Sequence, residues 1–402
     1  MLLPGTLALT LLLAALAATG PLSTDFYLPS MPQIAEQLHA TPSEVQFTIS
    51  LFLFGFAAGQ IAYGPFSDRH GRKPVLLLSM GIFLAATVLC VLSTSIEMLI
   101  GARLLQAFGG AGGVVLSRAV VRDLYSGRQA AREMSIISSV MALAPVLAPM
   151  FGGMVQAAFG WRGVFTVLGL ICAVVALATY FWLPETLKTR ASERVSIGSI
   201  WQSYRVVFRN RAYRAYLAMC TATYSGLLAW LAGSAFLLQN VYRLTAFEFG
   251  FVFAVGSAGY LIGSNIGARI VIRLGIDTVI GIGAVLATIG GSVFFASLYI
   301  GFTSSLAVVL PMTIYLMGLG MVLPQSIAGA MTPFPERAGA ASSLFGFIQQ
   351  VVAALCASMV GLLLDRGPMP LAAAVAFMGV ATLVLWIATR GIRKSHAAAH
   401  DV

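Results

Sequence analysis

An all-α integral membrane protein, with twelve transmembrane helices in two pseudo-symmetric six-helix bundles, is what three observations on this chain predict. Only 9% of its 402 residues are charged and 59% are hydrophobic, against roughly 25% charged in a soluble domain. Mean hydropathy is +0.90. The apolar stretches are long and do not alternate in polarity, so helices rather than the strands of a closed barrel satisfy the backbone in lipid.

A bilayer core about 30 Å thick takes about 20 apolar residues per helix. Runs of that length fall at about 5–28, 45–66, 74–94, 97–120, 134–158 and 163–183 in the first half. The second half repeats the count at about 212–238, 247–270, 278–300, 304–328, 340–364 and 369–389. The first run lacks the basic segment that precedes the apolar core of a signal peptide, so it is expected to remain as a helix. It closes on "PLSTDFYLP", where Asp25 interrupts an otherwise uncharged segment. The second and third runs are joined by "GPFSDRHGRKP", in which Gly71 can supply positive φ and Pro74 suits a helix start. The fourth contains "GARLLQAFGGAGG", with Arg103 and Gln106 on one face. The fifth contains "APVLAPMFGG", where Pro145 and Pro149 remove backbone donors one turn apart and Gly152 and Gly153 permit close approach of a neighbour.

The sixth run ends in the longest polar segment, Pro184 to Arg214, which halves the helix count. The expected division is an N-terminal bundle over 1–184, a cytoplasmic linker over 185–211 and a C-terminal bundle over 212–402. A weak internal repeat agrees with it, since Gly55, Gly59, Arg69 and Gly71 align at one offset with Gly259, Gly263, Arg273 and Gly275. Basic residues collect on the cytoplasmic side of short loops. With the N-terminus inside, the 24 lysines and arginines fall on that side except Arg103 in a span and Arg162, Arg243 and Arg366 in outer loops. Both termini are therefore expected in the cytoplasm. The net charge of +10 follows from orientation and calls for no nucleic-acid partner.

Cys90, Cys172, Cys220 and Cys356 fall in four different spans and suit buried packing. The four histidines lie outside the spans, so no metal site is expected. No phosphate-binding GxxxxGK[ST] loop and no nucleophile–base pair is present in the spans, which argues against an enzyme and against ATP drive.

The loop "GPFSDRHGRKP" resembles the G-x-x-x-D-R-x-G-R-K signature of the major facilitator superfamily, here Gly64, Asp68, Arg69, Gly71, Arg72 and Lys73. "STDFYLPSMPQIA", "RAVVRDLYS", "LAPVLAPMFGG", "GWRGVF" and "AGAASSL" further resemble the Bcr/CflA drug-resistance transporters, drug:H⁺ antiporters of the bacterial inner membrane. The resemblance implies a latch, with Asp68 near the start of the eleventh span and Arg69 and Arg72 pairing with nearby acids. It implies an antiporter motif at Pro145, Pro149, Gly152 and Gly153, and a cavity role for Arg103, which snorkelling toward the outer interface would replace. It places cavity-lining candidates at Tyr224, Trp230, Tyr260, Asn265, Gln349 and Gln350. Some related antiporters carry a second acid two turns earlier on the first helix, where this chain has Ala17.

Asp25 is then the expected proton-coupling residue, being the only carboxylate in the spans away from loop ends. Desolvation disfavours a carboxylate's charged form and a nearby cation favours it. At an effective dielectric of 20, opposite charges 4 Å apart interact by about 4 kcal/mol, so movement toward or away from Arg103 would switch the proton on or off. By residue count Asp25 lies near the outer surface unless the helix continues past Pro29. The expected function is proton-driven efflux of phenicol-, bicyclomycin- or dye-like drugs by a monomer that exchanges protons for drug and needs no cofactor. The alternative is a proton-coupled symporter importing a small polar solute.

Overall fold

Backbone groups in lipid have no water to bond to, and helices are the only regular structure among the described residues. The computed structural model describes residues 6–125, 127–187, 197–334 and 338–393. Lys188, Arg190, Arg194, Arg337 and Lys394, used above for orientation, lie outside the described residues.

The chain runs through α1 (Leu7–Asp25), α2 (Met31–Gln37), α3 (Pro42–His70), α4 (Arg72–Val91), α5 (Ile96–Leu124) and α6 (Gly127–Trp182). It continues through α7 (Ile197–Arg209), α8 (Arg211–Phe236), α9 (Ala246–Ile300), α10 (Leu306–Met331), α11 (Ala338–Leu363) and α12 (Met369–Ala388). Ten helical runs among the described residues are long and apolar enough to cross a membrane. Two of the helices, α6 and α9, are broken by non-helical backbone at Gly160 and Gly275. Divided there, each supplies two of the twelve expected spans.

The chain divides into two compact units, Met1–Arg194 with Leu244–Phe251, and Val195–Arg243 with Val252–Val402. The first turns of α9 thus group with the first unit rather than with the 212–402 bundle expected from sequence. The reason is steric: Gly250 lies against the Pro149 carbonyl and Gly153 against that of Ala246, approaches that a Cβ would block.

The starts of α3 and α9 are alike, and the joints that follow them recur in both units. Thr41 and Glu44 form a reciprocal capping box at the start of α3, and Thr245 and Glu248, in the stretch that groups with the first unit, make the same pair of bonds at the start of α9. Gly55 and Gly59 of α3 lie against the Leu104 and Phe108 carbonyls of α5, as Gly259 and Gly263 of α9 lie against those of Thr313 and Met317 on α10. Gly109 of α5 meets Ser79 and Phe83, while Gly318 of α10 meets Gly283 and Ala287. The turn that follows α3 has Gly71 at φ 105°, and its counterpart Gly275 stands at φ 77°. Both are left-handed positions that favour glycine. The duplication read weakly from four residues is thus a repeated set of caps, backbone contacts and turns.

Within the first unit, α1 joins this frame where Gly113 of α5 sits against the Leu16 carbonyl and the Thr19 hydroxyl. An apolar core of Leu9, Leu13, Leu16, Leu76, Leu116, Val120 and Ile137 fills the space between α1, α4, α5 and α6. In the second unit Arg393, buried just past α12, donates from Nε to Asp277 Oδ1 at 2.5 Å and from a terminal nitrogen to the Trp386 carbonyl at 2.7 Å. Trp386 Nε1 in turn donates to the Asp277 carbonyl at 3.0 Å, tying α12 to the turn at Gly275.

Gly55→Val is expected to cost about 1–3 kcal/mol by forcing α3 off α5, read as a lower unfolding midpoint in detergent. Gly64→Ala, whose added Cβ meets nothing within 4 Å, should leave that midpoint unchanged.

Candidate functional site

Asp25 is the last residue of α1, but the helical path does not stop there. A 3-10 turn at Leu28–Ser30 and then α2 carry it on, giving a run of 31 residues from Leu7 to Gln37. At about 1.5 Å per residue that run is about 46 Å long, longer than a hydrocarbon core of about 30 Å. Asp25 therefore lies well inside the run and is 4% exposed, unlike the surface position obtained by stopping at Pro29. Its carboxylate has no hydrogen-bond or ion-pair partner among the described residues.

Arg103, expected to pair with Asp25, is turned elsewhere. It is fully buried on α5, which removes the snorkelling alternative. One terminal nitrogen donates to the Ser23 carbonyl at 3.0 Å and to Gln106 Oε1 at 2.6 Å. Gln106 passes the chain on, donating to Thr87 Oγ1 at 2.8 Å. The guanidinium carbon lies 4.2 Å from the Phe52 ring centre, 4.6 Å from that of Tyr27 and 5.7 Å from that of Phe165. Three aromatic faces thus offset the charge where a carboxylate was anticipated, each desolvated contact contributing up to about 2 kcal/mol. The guanidinium is engaged by the Ser23 carbonyl, Gln106 and the three rings, and makes no ion pair with Asp25. Arg103 Nε and its second terminal nitrogen are buried without a hydrogen-bond partner among the described residues.

The proline–glycine motif of α6 reaches the same place. Gly152 is pressed against the Phe26 carbonyl so closely that any Cβ would overlap it. The residue after Asp25 is therefore seated on the segment containing Pro145 and Pro149, which bends or slides only together with α1.

At the α3–α4 turn, Arg72 is the hub. Its side chain meets Asp68 at 2.5 Å, Asp123 at 2.9 Å and Ser67 Oγ at 2.6 Å. Glu185 accepts from the Arg72 amide at 2.9 Å and from the Lys73 amide at 3.2 Å, capping the start of α4. Lys73 Nζ stands 5.8 Å from the Tyr180 ring, and Arg69 is exposed with no ion pair among the described residues. Sequence reading singled out the cations and missed Asp123 and Glu185, although "RDLYS" and "LPETL" carry them. The expected seat of Asp68 near the eleventh span involves residues 335–337, outside those described.

The cavity candidates of the second unit do not converge. Trp230 is buried and packs against the rings of Phe253 and Phe294. Asn265 is exposed and donates back to the Leu261 carbonyl of its own helix. Gln349 donates to Cys220 Sγ at 3.4 Å, bridging α11 to α8. Tyr224, Tyr260 and Gln350 are half-buried. Glu133, set aside in the sequence because it lies beside a loop, is a second buried carboxylate, bonded to Thr10 of α1 at 2.6 Å.

Two outcomes follow. Arg103→Lys should lose the planar stacking on the three rings, lowering the unfolding midpoint although the charge is kept. Asp123→Asn should weaken the hold on Arg72 by about 1.5–3 kcal/mol, whereas Arg69→Gln should leave stability unchanged in the same melt.

Residues 7–357 match the Major Facilitator Superfamily. Multidrug resistance protein D of Escherichia coli (strain K12) is 29% identical over 96% of this chain and 97% of its own. The bicyclomycin resistance protein homolog of Haemophilus influenzae is 31% identical over 88% of this chain and 89% of its own. Among solved structures, a point mutant of the nucleoside transporter NupG superposes with a TM-score of 0.75 at 13% identity, covering 96% of this chain and 99% of that one. A fold of helical spans built from two repeated units, the glycine-turn signature seated on Arg72 and these likenesses lead to one assignment: the chain belongs to the Major Facilitator Superfamily of membrane transporters, in its Bcr/CflA branch.

Proposed function

We propose that this transporter exports small-molecule drugs in exchange for protons, with Asp25 as the group that carries the proton. The observation that carries the reading is a carboxylate 4% exposed within a 31-residue helical run, without a cation or donor among the described residues. An unpaired acid at such a depth is costly and points to function. Its neighbour Phe26 rests on Gly152 of the proline–glycine segment. Loss or gain of the Asp25 proton therefore bears on the helix that must move when access alternates between the two sides. The names of the two resistance relatives support drugs as the cargo class, with bicyclomycin-like compounds among them.

In this scheme deprotonated Asp25 favours entry of a cationic or polar drug from the inner side. Protonation from the outer side then displaces the drug, and occupancy biases which state is populated. Both termini lie inside, in keeping with the basic inner loops. One charge moving through 100 mV is worth about 2.3 kcal/mol, close to a fiftyfold drug gradient.

A resistance panel of chloramphenicol, florfenicol, bicyclomycin and cationic dyes tests this. Cells expressing the wild type should accumulate less of at least one compound, and dissipating the proton gradient should abolish the difference. Asp25→Asn should remove the effect while the protein remains in the membrane at wild-type amount. Uphill pumping by Asp25→Asn that still follows the pH gradient would defeat the proposal.

A further inference from the structure

Glu133 sits in the second turn of α6 and is 3% exposed. The Thr10 hydroxyl of α1 donates to its Oε2 at 2.6 Å, while also leaning on the Thr6 carbonyl at 3.3 Å. The bond is a short one that ties α1 to α6 through a single side-chain pair. Flanking positions are apolar: Leu9 and Leu13 on α1 and Ile137 on α6 belong to one buried cluster.

No described cation reaches it. Among the described residues the ion pairs are those of Arg72 with Asp68 and Asp123 and of Arg393 with Asp277. Arg118 of α5 is held at Met141 Sδ, 3.7 Å away. That is two turns along α6 from Glu133, or about 12 Å at 1.5 Å per residue. Arg122 of α5 and Arg132 of α6 are exposed, without ion pairs among the described residues. On α4, Arg72 is committed to its own acids and Lys73 stands over Tyr180. The one charged residue of α1 is Asp25, fifteen positions from Thr10 and about 22 Å along the helix. Among the described residues this carboxylate has one side-chain partner, the Thr10 hydroxyl, and no ion pair.

We propose that Glu133, buried on α6 and bonded by the Thr10 hydroxyl of α1, is a second proton-carrying carboxylate of the first unit, exchanging with the inner side. The inference rests on the proton-driven reading above and deepens it. On deprotonation the proton passes from a Glu133 carboxyl oxygen to water and the Thr10 hydroxyl turns to the freed oxygen. On reprotonation the bond is released and α1 is loosened from α6. Each cycle then moves two protons, one on Asp25 and one on Glu133.

The test is the drug gradient sustained by purified protein in vesicles at a fixed pH difference of one unit, with the membrane potential clamped to zero and a neutral phenicol as cargo. Each coupled proton contributes a factor of about ten, because 1.4 kcal/mol is tenfold. The wild type should sustain about a hundredfold gradient, Glu133→Gln about tenfold, and Glu133→Asp should restore the wild-type value. A purely structural Glu133 would change rates and leave the limiting gradient alone. A wild type that reaches only tenfold, or a Glu133→Gln that reaches a hundredfold, overturns the inference while leaving drug–proton exchange standing. A wild type that builds no gradient sinks the reading of function itself. Should Glu133→Gln fail to accumulate, Thr10→Val retains the acid and removes its donor. It should then change the pH profile of exchange relative to the wild type, and an unchanged profile overturns the inference equally.

Discussion

Everything in this molecule depends on how closely its helices can approach one another where no water is present. In lipid, burial against a neighbour displaces only hydrocarbon, so helix association relies on van der Waals contact and hydrogen bonds. The contacts at Gly55, Gly59, Gly109 and Gly113 in the first unit, and at Gly259, Gly263 and Gly318 in the second, put one helix's backbone on another's carbonyls. Gly152 against the Phe26 carbonyl is the same kind of joint, and it is the one that links the proline-bent segment of α6 to the residue following Asp25.

That dependence explains how charge is tolerated here. Arg103 is accommodated by three ring faces, two acceptors and a relay through Gln106 to Thr87, so the guanidinium needs no carboxylate. Asp25 and Glu133 are left without cations, the first with no partner and the second with one hydroxyl, among the described residues. The charged groups of the first unit therefore fall into two kinds. Arg72 is locked by Asp68, Asp123 and Glu185 and serves stability. The two lone acids can change their protonation without dismantling an ion pair.

The units are built alike but charged differently. Glycine joints and the left-handed turn recur in both. The 26 residues of α8, which opens the second unit's spans as α1 opens the first, contain no acid. Asp25 thus has no acidic counterpart there, and Trp230 packs against two phenylalanines. Duplication fixed the frame, and the departures from it mark where the proposed chemistry resides.

Composition and apolar run length were enough to read the helical membrane architecture, because lipid forbids unpaired backbone and so ties hydropathy directly to helix. The glycine-turn loop was legible for a similar reason, since a left-handed turn between two spans demands glycine at Gly71 and again at Gly275. The partners of the charged side chains could not be read in this way. The depth of Asp25 depends on the helix continuing through Leu28–Ser30 into α2, and the aromatic seat of Arg103 is assembled from rings on α3, on α6 and just past α1. Burial of Glu133 depends on Thr10, 123 positions away in the chain. Such pairings are set by packing between distant segments, where the cost of desolvation and the fit of a neighbour decide, and no local pattern records them.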